Sequence, residues 1–340
     1  MIYVVIVFLW LSVCLYMILG GADFGAGIVE FLTPKRYKAQ ARASLYKTMG
    51  PIWEANHMWL IIAIVVLFVG FPTIYATLST YLHIPLILLL LGIIARGTAF
   101  TFRNYDAVQD DWEKVYTRIF VASSIFAPFF LGIIAAATVS GHIDPQAHSF
   151  ADQYIFSWLN PFGISVGIFT VGLCGYLASI FSIANLDNKN EQTRRIKEIN
   201  QTIVLVILTG LAVFVTAYLT GVPLITWVIS EPVAIAAVVL ATVSLAILIV
   251  QLRKRNFKYA KILGGFQMIM ILVAATYSHF PNLVLLKGGG SLSLFDEHGA
   301  DKTIQMLGWA LLIGSCFILP FLFYLMYSFG IKKDKTPTID

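Results

Sequence analysis

The stretch IYVVIVFLWLSVCLYMILGGADFGAGIVEFL, residues 2–32, decides the fold. From Ile2 to Gly20 no side chain is charged, and about 20 apolar residues in a helix are what a bilayer requires. There is no positively charged leader in front of the run, and its length exceeds the ~7–15 residues of a signal-peptide core. The segment therefore reads as a retained first membrane helix. It extends toward Leu32, because Ile28–Leu32 turns apolar again after Asp23.

Composition carries the same message to the whole chain. Hydrophobic residues make up 59% and charged residues 12%, with a mean hydropathy of +0.82. A soluble domain carries roughly 25% charged residues, and this chain folded in water would leave a large apolar surface exposed. The expected class is all-α, a polytopic membrane protein. Apolar runs near 2–20, 57–77, 82–102, 118–139, 161–184, 202–221, 228–250, 262–280 and 304–328 predict nine transmembrane helices.

Charge placement orients those helices. All but Lys287 and Lys302 of the 23 Lys and Arg residues lie in alternate connections or the tail. Those connections are residues 33–50, the region from Arg96 to Arg118, residues 185–200 and residues 251–261. The positive-inside rule makes that side cytoplasmic. This places the N-terminus outside and the C-terminus in the cytoplasm of a bacterial membrane, and an even helix count would spoil the alternation. The net charge of +5 gives no reason to expect nucleic-acid binding, because the basic residues sit in short loops beside lipid.

The polar stretch 140–160 reads as a break between two four-helix bundles. Residues 1–140 would form the first, with the charged motifs, and 161–280 the second. Residues 304–330 would add a peripheral ninth helix and 331–340 a cytoplasmic tail. No residue-level repeat relates the halves. The three cysteines, Cys14, Cys174 and Cys316, lie singly within apolar runs, which suggests small buried hydrophobes rather than a disulfide framework or zinc site. Gly21 and Gly25, and likewise Gly163 and Gly167, form G-x-x-x-G pairs that allow close helix approach. Pro72, Pro128 and Pro320 are expected to kink helices.

Ionisable residues inside a span are costly and mark function by default. Here they cluster. Asp23 lies on helix 1, Glu54 and His57 at the start of helix 2, with Pro51 as its first residue, and Arg96 on helix 3. At 1.5 Å per residue, Asp23 lies roughly 13 Å from the cytoplasmic end, Glu54 about 5 Å in, His57 about 9 Å in, and Arg96 roughly 10 Å from Arg103. All four share one slab. Asp23 and Glu30 are seven residues apart, as are Arg96 and Arg103, so each pair shares a helical face. Helices 1 and 3 run the same way, and an acidic ladder can face a basic ladder in register. One reading makes these salt bridges that fix packing. The other makes them a hydrated path from the cytoplasm in which Glu54 and His57 exchange protons, and both can hold.

Cofactor ligation is sparsely supported. A membrane b-type haem takes two axial ligands, and His57 is the one histidine well inside a span. A His–Met pair using Met58, Met268 or Met270 is the remaining route. Glu54-x-x-His57 matches half of a di-iron motif, without a second copy. Trp53, Trp59 and Trp112 fall near the inferred cytoplasmic boundary, where an aromatic belt is expected. Trp59 is the candidate for contact with a quinone or haem edge.

Three segments, G-A-D-F-G-A-G (21–27), G-P-I-W-E-A-N-H-M-W-L (50–60) and R-G-T-A-F-T-F-R (96–103), resemble the signature segments of subunit II of cytochrome bd-type quinol oxidases. Order, spacing, length and nine-span topology agree along the chain, although the second half resembles the family in hydropathy alone. The resemblance implies two four-helix bundles plus a peripheral helix, paired with a larger subunit I of similar fold. That subunit would carry haem b, haem d and the main quinol site, and this chain would ligate none. It further implies a membrane complex, with a small third subunit in some forms, that oxidises quinol and reduces oxygen to water. Cytoplasmic protons are consumed, which builds a gradient. Asp23 and Glu54 match acidic motif positions, and some members carry Asp where Glu54 stands. The competing reading is a cation or small-solute transporter, which would predict broken helices meeting near the midplane and an inverted repeat.

Overall fold

A computed structural model describes residues 1–49, 53–105, 112–183, 186 and 188–331. Among them, eight helices are long and apolar enough to cross a membrane, and a bent pair supplies a ninth when counted as one span. The first, α1, runs Ile2–Leu32 and contains a π-helical turn at Tyr16–Gly20. It stops at Thr33, which is extended as the residue before a proline prefers to be. A short polar helix, α2 (Lys38–Met49), follows on the basic side.

The second span is α3 (Trp53–Gly70), joined to α4 (Pro72–Tyr81) through a 115° bend. Pro72 cannot donate to the preceding turn and biases Phe71 away from helical geometry. Phe71 is fully buried and anchors the elbow. The freed carbonyl of Gly70 accepts a hydrogen bond from the Gly299 amide at 2.8 Å, so the helix end is not left open. The apolar run over 57–77, with the kink expected at Pro72, divides into two helices at residue 71. The expected start at Pro51 lies outside the described residues.

Next come α5 (His83–Tyr105) and α6 (Trp112–Val139), an antiparallel pair in close contact. The connection after them holds a one-turn helix, α7 (Phe150–Tyr154). Then follow α8 (Pro161–Ile183), α9 (Lys189–Thr220), the short α10 (Leu224–Ser230), α11 (Pro232–Arg253), α12 (Ala260–Thr276) and α13 (Asp301–Ile331). The helix α9 is longer than its apolar run because Asn188 caps it, its side chain accepting from the Asn190 amide, and the polar first turns continue the helix past the lipid. It ends at Gly221 in the left-handed conformation, φ 75°, a conformation glycine adopts without steric cost.

Close packing depends on the small residues. A Cβ on Gly25 would run into the Cys174 carbonyl of α8, and one on Gly167 would meet Phe129 of α6. Thus α1, α6 and α8 pack closely together, and α9 and α12 also pack against α8. Cys14 and Cys174 are buried, whereas Cys316 faces outward from α13.

Strands were not expected. On the side opposite the basic loops, β1 (Asn282–Leu285) and β2 (Ser291–Ser293) pair antiparallel, with Gly288 and Gly289 at positive φ in the turn. The hairpin grips the 140–160 connection. Lys287 donates its amide to Ile143 at 2.9 Å, and its Nζ lies 3.1 Å from Asp144 Oδ2.

Candidate functional site: a buried charge ladder

Inside the α1–α5–α6 junction, Arg96 reaches from α5 to Asp23 on α1. Its Nη1 lies 2.5 Å from Oδ2, and its Nη2 donates to Oδ1 at 2.8 Å and to the Asp23 backbone oxygen at 2.7 Å. Its Nε donates to Ser124 Oγ of α6 at 3.1 Å. Both charged residues are 2% exposed. The guanidinium also sits 5.1 Å from the Phe24 ring centre and 5.0 Å from that of Phe120, inside cation–π range. A buried pair is tolerable in lipid when its remaining donors are satisfied, and here they are directed at named acceptors.

The G-A-D-F-G-A-G segment explains how this geometry is built. Gly25 admits α8, and a Cβ on Gly27 would collide with Ser124. The glycines therefore bring two helices close to Asp23.

Two turns along the same helices, Glu30 meets Arg103, with Nη1 to Oε2 at 2.9 Å. Arg42 of α2 adds its Nε at 3.1 Å and Nη2 at 3.0 Å to Glu30 Oε1, and its Nη1 bonds Glu113 Oε1 at 2.8 Å. Arg103 also lies over Phe120, 4.1 Å from its centre. The two acid–arginine pairs face each other in register, and Phe120 lies beside both guanidinium groups.

His57 is half-buried, stands edge-on to Trp53 at 5.9 Å, and lies within electrostatic range of Asp23 and Arg96. Glu54 is in the first turn of α3, and its side chain lies outside the described residues. Trp59 is 5% exposed, so it belongs to the bundle interior rather than to an aromatic rim. Trp112 is exposed at 60%.

Several residues here were not picked out from sequence: Ser124, Phe120, Arg42, Glu113 and Asn56. Arg42 was one of many loop cations, and Ser124 carried no signal beyond a polar doublet in an apolar run. Asn56 was hidden in a motif whose neighbours drew the reading.

Four of the histidines place Nδ1 against backbone carbonyls. His279 has Nδ1 2.8 Å from the Asn282 carbonyl and Nε2 3.1 Å from that of Ala275, and His83 Nδ1 lies 2.8 Å from the Thr80 carbonyl. His142 and His298 likewise place Nδ1 against backbone carbonyls. Among the described residues, no three or more His, Cys, Asp or Glu converge as a metal set.

Fold and site define a polytopic helical membrane protein organised around paired charges buried near its basic side. The family model for cytochrome bd terminal oxidase subunit II matches residues 1–329, and the chain belongs to that family. It is similar to cytochrome bd ubiquinol oxidase subunit 2 of Bacillus subtilis (strain 168), 26% identical over 319 residues, which cover 90% of this chain and 88% of that one. It is also similar to cytochrome bd-I ubiquinol oxidase subunit 2 of Escherichia coli (strain K12), 24% identical over 179 residues, 50% of this chain and 46% of that one. Among solved structures, the bd oxidase from Geobacillus thermodenitrificans shares the fold, with a TM-score of 0.77 at 20% identity. The match covers 96% of this chain and 98% of that one.

Proposed function

We propose that this chain is the non-haem-ligating subunit of a quinol-oxidising cytochrome bd-type complex, and that it supplies a proton path from the cytoplasmic side. The observation that carries the reading is the Asp23–Arg96 pair, buried at 2% exposure and in register with Glu30–Arg103 toward the basic loops. His57 stands within its electrostatic reach.

The residues divide by geometry. Both oxygens of Asp23 are engaged by Arg96, so this pair sets a fixed field and holds three helices together. Glu30 and Arg103 continue that field to the surface. In this reading His57, beside the field of the Asp23–Arg96 pair, is the side chain that exchanges the proton with Glu54. Glu54 is one turn earlier on the same helix, on the cytoplasmic side.

In this reading a larger subunit I carries haem b and haem d, which supply electron transfer and oxygen reduction. Quinol is the electron source, lipid surrounds the complex, and a small third subunit completes some assemblies. The N-terminus lies outside and the C-terminus inside, and residues 1–140 and 161–280 are the two bundles, with the ninth helix peripheral. The transport alternative requires a helix broken at mid-membrane. Among the described residues the one bent helix pair apolar enough to count as a single span breaks at Gly70–Pro72, at the opposite end of α3 from His57.

The test uses the assembled complex with Glu54→Gln and His57→Ala. Lowered oxygen-coupled proton uptake with the haem content retained supports the path. Uptake and turnover equal to wild type in both variants would sink it.

A further inference from the structure

Among the described residues, three buried polar groups have no partner: the Tyr16 hydroxyl, both ends of the Asn56 carboxamide, and the Trp59 indole N–H. Tyr16 is 3%, Asn56 1% and Trp59 5% exposed. Buried polar atoms are nearly always bonded to protein or to ordered water, and four orphaned atoms in one neighbourhood are unusual.

Their placement is shared. Asn56, Trp59, Ala63 and Val66 are the buried face of α3, at the three- and four-residue spacing of one helical stripe. That helix packs against the π-helical turn of α1 that begins with Tyr16. Tyr16, Leu60 and Ala63 are among the residues that line a cavity of about 530 Å³, which Trp227 and His279 also line. Because α1 and α3 run in opposite directions, the level of Tyr16 matches Leu60 and Ala63. Asn56 then lies one to two turns nearer Asp23. Its neighbour His57 is within electrostatic range of that carboxylate. The orphans thus rise in a column from the Asp23 level toward the cavity.

The donor and acceptor mix identifies the occupant. Trp59 can only donate, Tyr16 can do both, and Asn56 offers two donors and a carbonyl acceptor. A carbonyl ligand would answer the donors and leave the Asn56 oxygen bare. Water both donates and accepts, and the three side chains together offer it the polar partners it needs.

We propose that Asn56, Trp59 and Tyr16 hold ordered internal water that extends the polar region of Asp23–Arg96 to the mid-membrane cavity. This deepens, and rests on, the proton path proposed above, because it supplies the mobile groups between fixed side chains. Asn56 and Tyr16 are then positioning residues acting through water.

The experiment is infrared difference spectroscopy on the assembled complex, comparing ordinary water with H2¹⁸O. Wild type is expected to show isotope-sensitive O–H bands of weakly bonded internal water. These bands are expected to be lost in Asn56→Leu and shifted in Tyr16→Phe, which removes one oxygen and retains the ring packing. Absence of such bands in wild type would overturn the proposal, as would their survival in both variants. A cryo-EM density at this position with the shape of an organic headgroup would also overturn it. Bands lost in Asn56→Leu with proton uptake unchanged would uphold the water site and refute the route it is read to serve.

Discussion

The Oγ of Ser124 occupies the space that a Cβ on Gly27 would fill, and that same oxygen accepts the Arg96 Nε proton. A glycine on one helix thus fixes a hydrogen bond between two others. Gly27→Ala is expected to push Ser124 away and lower the thermal stability of the complex. Ser124→Ala leaves a buried donor unpaired, at a cost of about 1–3 kcal/mol. Thermal melts of the two variants check this, and an unchanged Gly27→Ala melt would contradict it.

Breaking the Asp23–Arg96 pair should be worse than removing it. Asp23→Leu or Arg96→Leu alone strands a buried charge, at roughly 3–5 kcal/mol each. The double variant buries neither charge and is expected to recover part of the loss. A double-mutant cycle on complex stability measures the coupling, and simple additivity would show that the residues act independently.

Glu30 is the shared acceptor of Arg42 and Arg103. Glu30→Gln is expected to loosen α2, which Arg42 ties to α1 and α6. Hydrogen exchange over residues 38–49 should rise while exchange in α8 stays low. Equal protection of α2 in wild type and variant would show that the latch carries little.

Near the hairpin, the hydrogen bond from Lys287 to Asp144, with help from the Gln146 amide, holds the Asp144 carboxyl below its ordinary value of 3.8. A depressed folded-state value means the contact contributes stability above the unfolded pKa and loses it as pH falls through the folded one. Protection over 282–293, with the intrinsic pH dependence of amide exchange divided out, is therefore expected to be flat at neutral pH and to fall below about pH 4. Lys287→Ala should remove that dependence.

The spans, their order and the ladder spacing were legible because hydropathy and the helical period are local properties. Asp23 with Glu30, and Arg96 with Arg103, could be aligned from a seven-residue interval alone. Ser124 and Arg42 could not, since each acquires meaning from a helix distant in sequence. The elbow at Phe71 was legible as a kink at Pro72, but the apolar run across it gave no measure of a bend as sharp as 115°. The hairpin had its turn signal in Gly288–Gly290, in a segment otherwise too short to suggest strands. Trp59 shows the opposite failure: residue type and depth suggested a membrane rim, and helical phase turned it inward.

The elbow also imposes an order on synthesis. The helix ending at Gly70 leaves the ribosome early, yet the amide that completes it belongs to Gly299, immediately ahead of the last membrane helix. Until that late segment arrives, the Gly70 carbonyl must be held by solvent, lipid headgroups or a chaperone. The second span is therefore finished only when the last one is ready to insert, and premature termination upstream of Gly299 would leave this early helix incomplete.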